Sequence, residues 1–323
     1  MSAGRVADLA LLFPGQGSQF VGMGKDLAEA YPMARQTFEE ADRVLGLPLS
    51  KIAWEGPAEA LTQTENAQPA ILVHSVAVWR VVAARLAVRV AVAAGHSLGE
   101  FSAYVAAAAI PFADAVRLVR RRGELMAGSG RERPGTMAAV LGLDDALVRQ
   151  ACAEVSENGG GTVVAANFNA PGQVVISGEA AAVERAGAVA KEKGAKRVVP
   201  LPVSGAFHSP LMGVAEPGLA EALEKVPFGR LAFPILSNVT AEPVTDGRAA
   251  KDLLLRQLTS PVRFSEGVQR MRRDKVGVFA EIGPGGVLAG LVKRIDRDAR
   301  TVTLGTAAEV STFLESGEGE ASG

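Results

Sequence analysis

Cysteine is nearly missing from this chain: Cys152 is the only one among 323 residues. No disulfide can close within the chain, a reducing compartment is expected, and Cys152 reads as a buried structural thiol. A charge excess of one sign is missing too, since the formal net charge is −1. Nothing global therefore draws the protein to nucleic acid or to an anionic membrane, and an acidic partner would need a local basic patch. Long apolar runs are lacking. The stretch from Val88 to Ala94 is too short to span a bilayer and contains Arg89. Met1 to Leu12 has no basic segment followed by a long apolar run, so no secretory signal is expected and the cytoplasm is the default location. What remains is ordinary for a globular protein: 48% hydrophobic and 21% charged residues, in a length that suits one large domain or a large domain carrying a smaller one.

Strands and helices alternate at the start of the chain. Ala7 to Phe13 reads as a strand, Pro14 to Gln19 as a turn-rich loop, and Asp26 to Leu45 as a helix. Pro69 opens a helix through Val82, Val88 to Ala94 is a buried-type strand, and Leu98–Ala109 and Ala113–Met126 are helical. Gly128 to Gly135, rich in glycine and charge, suggests a domain crossing. After it come strand Met137–Leu141, helix Asp145–Val155, strands Thr162–Phe168 and Gln173–Ser177, helix Ala180–Lys193 and strand Arg197–Val203. This βαββαβ order is the ferredoxin-like pattern, with Asn169-Ala170-Pro171-Gly172 as the central turn. The alternation then resumes with strand Ile235–Val239, helix Lys251–Leu258, strand Val276–Ile282 and a helix ending near Ile295. The expected architecture is an α/β fold. A discontinuous large domain covers 1–133 and 205–314, an inserted small domain covers 134–204, and a disordered tail covers 315–323.

Chemistry concentrates in Gly95-His96-Ser97-Leu98-Gly99, a G-x-S-x-G pattern between an apolar strand and a helix. That is the setting of a nucleophile elbow, where glycines permit a tight turn and the next helix points its N-terminus at the serine. Chance is a real alternative in a chain with 36 glycines, but the flanking pattern favours the elbow. A serine nucleophile needs a base. His74 lies in a predicted apolar helix and reads as core. His96 adjoins Ser97, and adjacent side chains diverge. His208, in the loop Ser204 to Pro210, follows Ser97 in the order of hydrolase-like sheets, and elimination points to it. No G-x-x-x-x-G-K-[ST] loop is present, and Leu288 stands where a G-x-G-x-x-G match after Gly283 needs glycine. His96 and Glu100 lie four apart, but three histidines and one cysteine are too few for a metal site there.

The blocks Leu12 to Gln19 and Gly95 to Glu100 resemble the two signatures of the acyl carrier protein S-malonyltransferase family. Arg122 to Met126, Ser204 to Met212, Arg256-Gln257-Leu258 and Glu281 to Gly285 add four blocks in family order, and the likeness runs from about residue 8 to 305. Synthase acyltransferase domains share the pattern, so it indicates the family better than the pathway, fatty acid or polyketide. The resemblance implies an α/β-hydrolase-like large domain and a cleft beside the small one. It implies transfer of malonyl from malonyl-CoA to acyl carrier protein through an acyl-serine, by a cytoplasmic monomer without a cofactor. Ser97 would be nucleophile and His208 base. Backbone N–H groups of Gln16 and Leu98 would form the oxyanion hole, and the Gln257 carbonyl would orient His208. Arg122 would hold the malonyl carboxylate; spacing alone does not choose it over Arg121, but the Arg-Gly-Glu match does. Phe207 matches the malonyl-preferring form of its block. Asn167 and Asn169 would line the cleft, although turn-forming asparagine explains them nearly as well. Lys191, Lys193, Lys196, Arg197, Lys293 and Arg294 are candidate carrier contacts, or simply solvated surface. A hydrolase using the same Ser–His pair and a non-catalytic docking protein are the rival readings.

Overall fold

The fold is that of a computed structural model, which describes residues 8–86 and 89–316. The chain begins with β1 (Leu9–Phe13), α1 (Lys25–Ala30), α2 (Pro32–Leu45), α3 (Leu49–Glu55), α4 (Ala58–Thr62) and α5 (Thr64–Ala83). Next come β2 (Val90–Gly95), α6 (Leu98–Ala106) and α7 (Phe112–Glu132). A second stretch holds β3 (Thr136–Leu141), α8 (Asp145–Glu157), β4 (Val163–Ala170), β5 (Gln173–Gly178), α9 (Ala180–Glu192) and β6 (Arg197–Pro200). After a 3₁₀ turn at Pro210–Ala215 follow α10 (Glu216–Glu224), β7 (Ile235–Leu236), β8 (Pro243–Val244), α11 (Gly247–Arg256) and α12 (Phe264–Arg273). The described chain closes with β9 (Val278–Ile282), α13 (Val287–Ile295), β10 (Arg300–Leu304) and α14 (Ala307–Glu315).

Among the described residues the strands make two sheets. The first is six-stranded in the order β10-β9-β1-β2-β7-β8, parallel except at β8. A parallel sheet must be covered on both faces, and β1 shows why its sequence is apolar at every position. Leu9, Leu11 and Phe13 join one buried cluster, and Ala10 and Leu12 join another on the opposite face. The register pairs Phe13 with Gly95 and Leu12 with Glu281. The loops after β1, β2 and β9 therefore emerge together at the C-terminal edge, where open α/β sheets hold their ligands.

The second sheet is four-stranded and antiparallel, in the order β4-β5-β3-β6. Val140, Val174 and Ile176 face helices α8 and α9 and pack with Val148, Cys152 and Ala186. Met137, Asn167 and Val175, on the other face, look across a cleft at the first sheet. Edge strand β4 is tied to the stretch before α12 by the Phe168 N–H donating to the Val262 carbonyl and the Val262 N–H donating to that of Ala166, each at 2.8 Å.

Several elements differ from the sequence expectation. The helix expected over 26–45 breaks at Tyr31, which is extended (φ −127) because Pro32 follows it. The helix expected to open at Pro69 starts at Thr64, with Pro69 inside it. The lost proline N–H frees the Glu65 carbonyl, and Arg120 Nη1 donates to it at 3.1 Å. Helix α7 does not stop at Met126 but runs through the glycine-rich segment to Glu132. Gly130 is there for contact, since a Cβ would lie 2.1 Å from the Ser204 carbonyl oxygen. Helix α6 ends at Ala106, ahead of Ala108 at φ 58. Strand β6 ends at Pro200 rather than Val203, where Pro200 and Pro202 offer no ladder donor. Ile235–Val239 pairs only over two residues. Of the expected tail, residues 317–323 lie outside the described residues, while Glu315 still belongs to α14. Ala7 and Val88, read as strand starts, also lie outside them.

Candidate active site

Strand β2 ends in a bend that presents one half-buried side chain, that of Ser97, to the cleft. Ser97 stands between β2 and α6 at φ 50, ψ −105, a conformation that costs a β-carbon residue about 1–3 kcal/mol. The bend is tight because a Cβ on Gly95 would fall 1.8 Å from the Gly99 carbonyl carbon, and one on Gly99 would fall 1.9 Å from the Phe13 oxygen. Asn238, on the loop after β7, clamps the turn from the side. Its Oδ1 accepts from the Ser97 N–H at 2.7 Å and its Nδ2 donates to the Gly95 carbonyl at 2.6 Å.

His208 reaches this serine from the loop that follows the second sheet. Its Nε2 lies 2.8 Å from Ser97 Oγ and its Nδ1 lies 2.9 Å from the Gln257 carbonyl oxygen. A carbonyl only accepts, so Nδ1 carries the proton and Nε2 is left to receive one from the hydroxyl. Burial first, then the nearby Arg122 charge, pushes the imidazole down to about 3. It is therefore neutral at neutral pH, as a base must be.

Arg120, Arg121 and Arg122 separate cleanly. Arg120 is occupied by Glu65, Asn66 and Glu124. The Arg121 side chain is 52% exposed beside Glu124. Arg122 is 1% exposed. Its Nη1 donates to Gln68 Oε1 at 2.7 Å, and its Nη2 lies 3.0 Å from both Ser97 Oγ and Gln257 Oε1. The guanidinium carbon sits 5.3 Å from the centre of the Phe101 ring. Burial lowers this guanidinium to about 10, so it stays charged.

Ser97, His208 and Arg122 open on a cavity of about 440 Å³ between the two sheets. Gln16, Leu98, Asn167, Asn169 and Phe207 line it as well. Leu98 is the first residue of α6, and first-turn amides have no partner inside a helix. The Gln16 and Leu98 N–H groups donate to no protein acceptor among the described residues. Asn169 Oδ1 lies 2.8 Å from His96 Nε2, which makes a strut across the cleft. Burial lowers the His96 pKa, so this imidazole is neutral and donates through Nε2. His74 is remote from the cavity and fully buried, with Nε2 2.9 Å from the Gly305 carbonyl oxygen. Among the six candidate carrier-contact cations, Arg294 is tied to the cavity lining through Gln173 Oε1 at 3.1 Å. Lys193 pairs with Glu154.

Sequence reasoning missed a layer of buried polar groups. Gln68, Glu100 and Asn238 are all within it, and the Gln257 side chain donates through Nε2 to the Ser97 carbonyl at 3.0 Å and to Glu100 Oε2 at 2.7 Å. The available signal was weak: Gln68 is a polar residue inside an otherwise apolar helix, and Glu100 closes the elbow motif. No cluster of metal-binding side chains and no helix long and apolar enough to cross a membrane occurs among the described residues.

The sequence matches the acyl transferase domain family over residues 10–311. A malonyl CoA-acyl carrier protein transacylase of Bacillus subtilis is 48% identical over 299 residues, 93% of this chain and 94% of that one. Its Escherichia coli K12 counterpart is 48% identical over 290 residues, 90% of this chain and 93% of that one. Among solved structures, a malonyl-transacylase in complex with a type II PKS acyl-carrier protein superposes with a TM-score of 0.92 at 45% identity, covering 96% of this chain and all of that one. An acyl carrier protein S-malonyltransferase from Vibrio cholerae superposes with a TM-score of 0.91 at 46% identity, covering 95% of this chain and 99% of that one.

Proposed function

This chain belongs to the acyl transferase domain family, and from that membership we propose that it moves a malonyl group from malonyl-CoA to the phosphopantetheine thiol of an acyl carrier protein, in fatty acid or polyketide biosynthesis. The observation that carries the reading is one serine oxygen held 2.8 Å from a neutral imidazole and 3.0 Å from a buried guanidinium. The first contact suits acyl transfer, and the second suits an acyl group that bears a carboxylate.

The reaction runs in two halves. Ser97 Oγ gives its proton to His208 Nε2 and attacks the thioester carbonyl. The carbonyl oxygen, gaining charge, is met by the Gln16 and Leu98 amides, whose direction is set before the substrate arrives. Coenzyme A leaves as its thiol with the proton from His208, and malonyl remains on Ser97. The carrier thiol then gives its proton to His208 and takes the acyl group, which restores the hydroxyl. One thioester is exchanged for another, so neither cofactor nor energy source is needed. The malonyl carboxylate lies three bonds from Oγ, within reach of Arg122, whose planar fork suits two-point pairing. Gln257 holds the His208 tautomer through its carbonyl, in the place an aspartate takes in a triad. Phe207, Asn167 and Asn169 shape the acyl end of the cleft.

The two sheets support a division into an α/β-hydrolase-like domain over 1–133 and 205–314 and a ferredoxin-like insert over 134–204. A monomer suffices for this reading, because Ser97, His208 and Arg122 meet within one chain. Intact-mass measurement after mixing with malonyl-CoA tests the proposal. A malonyl adduct is expected on the wild type, lost in Ser97→Ala and discharged by acyl carrier protein. Discharge to water at the same rate without carrier would make the protein a hydrolase instead.

A further inference from the structure

Glu100 is fully buried in the first turn of α6, and no step above uses it. Its Oε2 accepts from Gln257 Nε2 at 2.7 Å and from the Asn238 N–H at 3.1 Å, while Oε1 has no partner. The Gln257 amide has only one workable direction. Its nitrogen faces three acceptors, the Ser97 carbonyl, Glu100 and, at 3.5 Å, Asn238 Oδ1, and its oxygen faces the Arg122 donor. Guanidinium, amide and carboxylate thus form one donor-to-acceptor chain between two buried opposite charges. A buried charge without compensation is costly, so an Arg122 that waits for a substrate anion needs a negative partner in the meantime.

We propose that Glu100 is the resident counter-charge of Arg122, a positioning residue that balances the guanidinium through the Gln257 amide and takes a proton on Oε1 when an acyl carboxylate binds. The inference rests on Arg122 as the partner of that carboxylate. With substrate bound, one cation would face two anions in a site removed from water, and such pairs relieve themselves by protonating one member. Glu100 is the member that can yield. Burial already lifts its carboxyl to about 7, and Oε1 is unencumbered. The other groups facing it do not titrate in that range. Arg122 from α7 remains charged, the Tyr104 hydroxyl one turn along α6 is raised further by burial, and Asn238 and Gln257 are neutral.

The test is the ratio of kcat/KM for malonyl-CoA to that for acetyl-CoA between pH 6 and 8.5. Acetyl lacks only the carboxylate, so effects on Ser97, His208 and the thiol cancel, and the malonyl carboxylate stays ionised throughout. Below about 7 Glu100 already holds the proton; above it, the proton must be acquired for malonyl to bind. The wild-type ratio should therefore fall as pH rises, by about thirtyfold across the range. In Glu100→Gln, which keeps an acceptor oxygen for Gln257 but has no charge, the ratio should be flat. A flat wild-type ratio would overturn the inference even if Glu100→Gln does not fold, and so would an unaltered slope in a folded Glu100→Gln. If Arg122→Ala leaves the ratio unchanged, the carboxylate reading itself is wrong. If Arg122→Ala abolishes the preference while the wild-type ratio is flat, only the role of Glu100 falls.

Discussion

The six-stranded and four-stranded sheets meet at one cavity but bring different things to it. The first carries the reacting groups, and it carries strain. Ser97 at φ 50 and His208 at φ 57 both lie outside the four-stranded sheet, as do Ala108, Ala241 and Lys275, the other non-glycine residues at positive φ among the described residues. The second sheet offers Met137 and Val175 from β3 and β5, and Asn167 and Asn169 from β4, whose pairing slips between Ala165 and Asn167 and between Phe168 and Ala170 but which holds no non-glycine residue at positive φ. Strained positions persist only where the surroundings over-determine them. At Ser97 those surroundings are Asn238, Gln257 and Arg122, each from a different segment. Rigidity therefore sits where bonds are made and broken. The facing sheet is free to be a wall, and variants on the two sides should differ in kind.

The largest effect should come from the strained side. His208→Ala leaves Ser97 without a base, and acyl transfer should fall by about 10²-fold or more, with little change in coenzyme A binding. Turnover near the wild-type rate at neutral pH would show that the base lies elsewhere. With His208 held down at about 3, its neutral form persists from pH 5 to 8. Acetyl transfer by the wild type should therefore show no histidine ionisation in that range.

Next in size is Arg122→Ala. A charge-assisted contact contributes about 1.5–3 kcal/mol, so losing it should slow malonyl transfer by about 10-fold to 100-fold. Acetyl has no carboxylate to strand and should be spared or improved. Arg121→Ala, on the exposed face, is the control and should leave both substrates alone. Equal losses for malonyl and acetyl in Arg122→Ala would reduce this arginine to a structural role.

The contrast also explains what the sequence could reveal. The elbow was legible because its requirements are local: an apolar strand, glycines at the bend and a helix start all lie within a few residues of Ser97. The βαββαβ order of the insert was legible for the same reason, since each strand opens on or contains a short apolar run and each turn carries its own proline, glycine or asparagine. Arg122 was not legible from spacing. Three consecutive arginines point about 100° apart around a helix, and only the packing of α5 against α7 decides which one is buried. Residue 120 answers a proline effect in α5, and residue 122 meets Gln68 one turn further along that helix. The polar layer was the hardest to see. Asn238 and Gln257 reach Ser97 across 141 and 160 residues, and no local periodicity encodes such pairs. Short strands hid it further, because β7 pairs over two residues before the chain turns aside to place Asn238.

The smallest expected effect is on the wall, and it sharpens the comparison most. Asn169 meets His96 across the cleft with a single neutral hydrogen bond of 2.8 Å. Such a bond contributes about 0.5–1.5 kcal/mol, so Asn169→Ala should change kcat/KM by no more than about tenfold. Because Asn169 touches neither Ser97 Oγ nor the His208 ring, the change should fall on KM and leave the limiting rate nearly intact. Its partner is informative as well. His96 donates through Nε2, so His96→Gln can still offer an N–H to Asn169, whereas His96→Leu cannot. If the strut aligns the wall with the elbow, His96→Gln should resemble the wild type and His96→Leu should resemble Asn169→Ala. Should Asn169→Ala lower kcat as much as Arg122→Ala lowers malonyl transfer, the division between a reacting sheet and a supporting wall does not hold. Asn169 would then have to be placed on the reacting atoms themselves.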